Sequence, residues 1–115
     1  MLKADNVRLL HMIDAANEAL SFVRGKSRTE LDADRRLALA LVKSIEIIGE
    51  AASRTSAEFR AQSPEVPWAD LVAMRNRLIH AYFDVNLDIV WHTVTRELPP
   101  LVKLLEQLAT PGDLQ

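Results

Sequence analysis

Between Leu37 and Ala52 the chain is apolar on two faces at helical spacing, and this governs what it can fold into. Ala38, Leu41, Ile45, Ile48 and Ala52 form one seam; Leu37, Ala40, Ile47 and Ala51 form another. A helix with two apolar faces has to be covered twice, so it is central in a bundle or shared with a second subunit. Gly49 lies inside it, at a cost of about 1 kcal/mol in helix propensity against alanine. With Ala51 and Ala52 beside it, the compensating gain is close approach by a neighbouring backbone.

The remaining segments read as partners for that helix. Leu9, Ile13, Ala16, Leu20 and Val23 recur at four-three spacing behind Asp5, a candidate cap, and Arg24-Gly25 closes the helix. Ser27-Arg28-Thr29-Glu30 has the layout of a capping box that opens the central helix. Residues 56–66 give a short helical turn and a loop, and Pro67 suits the first position of a helix running to about His80. Asp84 or Asn86 can cap a last helix. Its seam, Leu87, Trp91, Val94, Leu98, Leu101, Leu105 and Leu108, keeps phase across Pro99-Pro100, which predicts one kinked helix. The expected fold is all-α: an antiparallel bundle of four main helices plus a short helical turn, dimeric. One domain is expected over residues 1–110, with the tail Thr-Pro-Gly-Asp-Leu-Gln fraying.

Composition narrows the functional classes. At 115 residues the chain suits a single domain with a real core. Charged residues make up 26% and no 18-residue run is uncharged, so no transmembrane span is expected. The start, MLKADNVRLL, lacks the layout of a signal peptide. There are no cysteines, which removes disulfides, thiol catalysis and thiolate metal sites and suits a cytoplasmic protein. The net charge of −2 gives no bulk basic field, so any nucleic-acid contact has to rest on local arginines. His11 and His92 lie on separate helices without a partner histidine at ligand spacing, and neither metal nor cofactor is expected. Trp68 and Trp91 read as core anchors, and Arg35-Arg36 as a solvated face.

One stretch resists this reading. Residues 75–82 are Arg-Asn-Arg-Leu-Ile-His-Ala-Tyr, and Arg75 sits in the middle of an apolar stripe formed by Trp68, Leu71, Val72, Leu78, Ile79 and Tyr82. Arg75 and His80 are about 140° apart on a straight helix, while His80 stacks with Asn76 and Arg77. An imidazole can move a proton near neutral pH, and an arginine fork binds phosphate oxygens. Asn76 can orient the ring or a ligand. RNA supplies its own nucleophile, the 2′-OH, so histidine plus arginine suffices for its cleavage. The structural alternative is an Arg75 ion pair with a carboxylate of the neighbouring helix, Glu50 first, and a His80 favoured by the helix dipole. Spacing alone leaves both open.

Ile47-Ile48-Gly49-Glu50-Ala51-Ala52, Val66-Pro67-Trp68, Arg75-Asn76 through His80-Ala81-Tyr82, Val90-Trp91 and Leu98-Pro99 occur in an order that resembles the HepT-type branch of the HEPN superfamily. The resemblance covers nearly the whole chain. It implies a homodimeric, metal-independent ribonuclease toxin whose two signature helices meet at a cleft. Arg75, Asn76 and His80 would be catalytic, with Arg77 and Glu50 in support. It also implies a partner, a minimal nucleotidyltransferase antitoxin of the MntA type, which transfers AMP from ATP to Tyr82. The alternative within the resemblance is a catalytically silent HEPN module serving as scaffold or nucleotide-binding subunit for such an enzyme. Outside it stands a plain helical dimerisation protein.

Overall fold

The computed structural model describes residues 2–80 and 85–110, the side chains of Ile79 and His80 excepted. Helices α1 (Lys3–Val23), α2 (Arg28–Ala33), α3 (Arg35–Arg54), α4 (Ala57–Gln62) and α5 (Trp68–His80) follow in order. The last helix is composite: α6 (Leu87–His92), a π-helical turn (Thr93–Glu97) and α7 (Leu98–Leu108). No strand occurs among the described residues, and the fold is the expected all-α bundle, with α1, α3, α5 and the composite helix as its main members.

Helix α3 is central, as its two apolar faces require. It packs on α1 along one side and on α5 along the other, and α1 in turn packs on α7. Leu41, Ile45, Ile48 and Ala52 are buried from the first seam, Leu37 and Ala51 from the second, whereas Ile47 is 40% exposed. Leu9, Met12 and Ala16 of α1 meet them, and Leu98, Leu101 and Leu105 close the core from α7. Burying each such leucine contributes about 1.5–3 kcal/mol, so this seam is what holds the bundle. Gly25 ends α1 at φ 74°, the left-handed cap that glycine adopts without a Cβ penalty.

Several boundaries differ from the sequence reading. Asp5 does not cap α1, which already starts at Lys3; its buried carboxylate accepts the Ser56 backbone N–H and hydroxyl, both at 2.7 Å. It therefore ties α1 to the start of α4, where Ser56 Oγ accepts the Phe59 N–H at 3.1 Å. Ser27 does precede α2, yet the capping box is not closed, because Ser27 Oγ pairs with Thr29 Oγ1 at 3.0 Å. The helix expected from there to residue 52 breaks at Asp34, whose side chain accepts the Leu37 N–H at 3.0 Å and starts α3 afresh. Leu31 is buried from α2, and Arg28 bridges Asp32 and Asp88, which fastens α2 to α6.

Trp68 begins α5, one residue after Pro67, whose carbonyl accepts the Leu71 N–H at 3.0 Å. Trp68 is an anchor as expected: its indole N–H donates to Ser63 O at 2.9 Å and its ring meets Phe59 edge-on. Asn86 caps α6, accepting from the Asp88 and Ile89 amides; Asp84 lies outside the described residues. The final helix runs through Pro99-Pro100 without interruption. Prolines there would crowd the carbonyls one turn back, and the π turn, closed by Leu98 N–H on Thr93 O, loosens that turn. Its extra residue also shifts the seam, so that Val90 is fully buried while Trp91 is only half-buried. Thr110 is not frayed. Asn6, fully buried, donates to its carbonyl and accepts its amide, both at 2.6 Å. The rest of the expected frayed tail lies outside the described residues.

Candidate active site

Two consecutive residues of α3 place Arg75. Gly49 lets its stem come close: a Cβ at Gly49 would overlap the Arg75 Cβ and stand 2.9 Å from Arg75 Cγ and from the Leu71 carbonyl oxygen. The close approach anticipated for Gly49 is thus made by α5, at the turn that carries Arg75. Glu50 then takes the head of the side chain, with Oε2 2.7 Å from Arg75 Nη2. Its other oxygen, Oε1, accepts from Arg54 Nε at 2.7 Å. Arg75 also donates from Nη1 to Asn76 Oδ1 at 3.2 Å.

Glu50 is held below the usual glutamate range, first by the hydrogen bond from Arg54 and then by the charges of Arg75, Arg54 and Arg8, against a desolvation effect that pushes it up. The carboxylate is therefore charged at neutral pH and pairs with the Arg75 guanidinium. Arg75 remains 29% exposed, so the pair is open to a ligand. A guanidinium has five N–H donors, of which Glu50 and Asn76 engage two. Those left over can bind an anion.

The open side of Arg75 faces a furrow of about 370 Å³ between α1 and α5, with α3 as its floor. Arg8 and His11 line it from α1, and Lys43, Glu46, Ile47, Glu50 and Arg54 from α3. Sequence reasoning did not join these groups. Arg54 carried a readable signal, four residues after Glu50 on the same face. Nothing in the spacing links Arg8 or His11 to Lys43.

Of the sequence candidates, Arg75, Asn76 and Glu50 come together. Arg77 does not join them: it lines a separate groove on the other flank of α5, with Met74, Leu71 and Leu101, and its Nη2 lies 3.9 Å from Met74 Sδ. His80 is the last residue of α5, five positions after Arg75, and its side chain is not among those described. Tyr82 lies outside the described residues. Arg35 and Arg36 are exposed, as a solvated face requires. No helix among the described residues is long and apolar enough to cross a membrane.

Comparison with known proteins points in the direction of the signature. A protein of Caldanaerobacter subterraneus subsp. tengcongensis named "Putative RNase TTE0752" is 36% identical over 107 residues, 93% of this chain and 96% of its own. A protein of Thermococcus cleftensis named "Probable ribonuclease HepT" is 39% identical over 75 residues, 65% of this chain and 68% of its own. No solved structure matches. The family described as "Ribonuclease HepT-like" matches residues 12–108, which takes in all of α3, α5 and the composite helix. The chain belongs to the ribonuclease HepT-like family.

Proposed function

We propose that the protein is an endoribonuclease that cleaves RNA without a metal, acting in the cytoplasm as the toxin of a toxin–antitoxin pair. The observation that carries this reading is the setting of Arg75. A permanently charged fork is paired with Glu50 on one side, with donors left open beside a cationic furrow. In the proposed reaction the substrate's 2′-OH attacks the adjacent phosphorus and its proton passes to a base. The P–O5′ bond breaks, and the leaving oxygen takes a proton from an acid. The products end in a 2′,3′-cyclic phosphate and a 5′-hydroxyl. Charge gathers on the non-bridging oxygens, where the open donors of Arg75 stabilise it. His80 is the proton-transfer group. A homodimer that brings two α5 helices to one cleft would supply two imidazoles, one for each transfer.

The proposal includes regulation. A minimal nucleotidyltransferase antitoxin activates the Tyr82 phenol, which attacks the α-phosphorus of ATP and releases pyrophosphate. The AMP so attached adds a phosphate able to compete with RNA for arginine.

One observation favours a competing reading, a silent scaffold in which Arg75 is structural: its ion pair with Glu50 is complete without any ligand. Cleavage decides between them. Purified protein in EDTA should cut an RNA oligonucleotide and leave cyclic-phosphate ends. His80→Ala should abolish cutting with little change in melting temperature, and Arg75→Ala should abolish it too. Full activity in His80→Ala returns the signature to a structural role, and activity lost to EDTA but restored by a divalent metal refutes the metal-free mechanism.

A further inference from the structure

The furrow beside Arg75 has a charge pattern that ion pairing within the chain does not use up. Four cations line it (Arg8, Lys43, Arg54 and Arg75) against two carboxylates, Glu46 and Glu50, in a protein whose overall charge is −2. Glu50 is shared between Arg54 and Arg75. Among the described residues Glu46 pairs only with Lys43, at 3.9 Å, and its side chain is 12% exposed against 71% for the lysine. The ammonium therefore faces solvent while the carboxylate is set back. Arg54 is 59% exposed against 39% for Glu50, which repeats the arrangement one step further along. Among the described residues the Arg8 side chain makes neither an ion pair nor a hydrogen bond, although its charge is close enough to act on Glu50. His11, three residues on, is exposed on the same face of α1.

Lys43, Ile47, Glu50 and Arg54 follow one another at four-three-four spacing, a straight stripe of α3. Lys43 and Arg54 are eleven residues apart, about 16 Å at 1.5 Å per residue, so the stripe is long enough for more than one phosphate. We propose that this furrow is a track for the phosphate backbone of a single RNA strand leading away from Arg75, with Arg8, Lys43 and Arg54 as its phosphate contacts. The inference rests on the ribonuclease reading and adds to it the path of the substrate across α3 and α1. Exposed Ile47 gives a ribose or base an apolar surface on the track floor.

The test uses the His80→Ala protein, which holds RNA uncut, and a fluorescently labelled single-stranded RNA whose affinity is followed by anisotropy across a salt series. Each of Arg8→Gln, Lys43→Gln and Arg54→Gln should weaken binding and lower the slope of log K against log salt by about 0.7, the value for one single-strand phosphate. Arg8→Gln is the sharpest arm, because it removes a charge without breaking a bond. Arg96→Gln, on the groove at the other flank of α5, should leave the slope unchanged. Wild-type protein that cuts RNA while the three furrow variants keep the full slope overturns the track and leaves the ribonuclease reading in place. A wild type that does not cleave RNA, together with a His80→Ala protein that does not bind it, overturns both readings.

Discussion

Alanine at Gly49 separates the packing account given above from ordinary helix propensity. In an open helix the change should stabilise by about 1 kcal/mol. Here the new Cβ overlaps the Arg75 Cβ and lies 2.9 Å from Arg75 Cγ and the Leu71 carbonyl oxygen. All three are at or near the backbone of α5, so no side-chain end can swing away. To bring the 2.9 Å contacts to the 3.4 Å of ordinary packing, α5 has to retreat by at least about 0.5 Å. Overpacking of this kind costs about 1–3 kcal/mol. Set against the propensity gain of about 1 kcal/mol, the net loss should be up to about 2 kcal/mol, or a melting temperature lower by up to about 8 °C for a chain of this size. The retreat also carries Arg75 off its position beside Glu50, and cleavage should fall on the order of tenfold or more, since misplacement of about 1 Å costs as much as a hundredfold. Thermal melts and single-turnover cleavage measure both effects. A double-mutant cycle with Arg75→Gly, which deletes the clashing Cβ, should show a coupling of about 1 kcal/mol or more. A Gly49→Ala protein that melts higher than the wild type would refute the reasoning.

Asp5→Ala leaves the Ser56 amide without its acceptor and should cost about 2 kcal/mol, read by denaturant unfolding, while cleavage by the folded fraction is unchanged. Glu50 has its pKa lowered by folding, so its contribution is complete above the ordinary value of 4.5 and lost as pH falls through the lowered one. The melting-temperature gap between wild type and Glu50→Gln should therefore be constant from pH 5 to 8 and close only in stronger acid. Tyr82→Phe should keep nuclease activity yet gain no AMP on co-expression with a neighbouring nucleotidyltransferase, as intact-mass spectrometry will show; full neutralisation of that variant removes Tyr82 from the regulation. Sedimentation at micromolar concentration should give a dimer, and a stable species of 12.9 kDa sinks the two-helix cleft.

The bundle was legible because its signal is periodic. Apolar residues at helical spacing mark α1, α3, α5 and the last helix, and Gly25, Asn86 and Pro67 punctuate them within a residue. Misreadings arose where a polar side chain does long-range work. Asp5 near a helix start looks like a cap by every local rule, yet its acceptor oxygens serve Ser56, 51 residues away. Asn6 is a mid-helix asparagine in sequence and a clamp for Thr110 in the fold. Asp34 broke a run of good helix formers because its carboxylate satisfies the Leu37 amide, an option that periodicity does not weigh. The π turn had a visible cause, two consecutive prolines, but its one-residue shift exchanged Trp91 for Val90 in the core.

At the site, sequence and structure converge on the same pair of adjacent residues for different reasons. An arginine inside an apolar stripe is costly wherever the stripe is dry, because an uncompensated buried charge costs several kcal/mol. Gly49 and Glu50 resolve this together. The absent side chain at Gly49 lets the Arg75 stem lie against α3 and behave as part of the apolar seam. The carboxylate at Glu50 meets the guanidinium at the edge of the seam, where both groups keep contact with water. Arg54 pairs with that carboxylate from its far side, so Glu50 is shared between the two arginines. On the proposed reading, a phosphate arriving from the furrow would meet a fork already paired on one side, which lowers the side-chain ordering that binding has to supply. Both residues were readable as features of α3. That they act on one side chain of α5 was not, since only the packing of one helix on the other makes them neighbours.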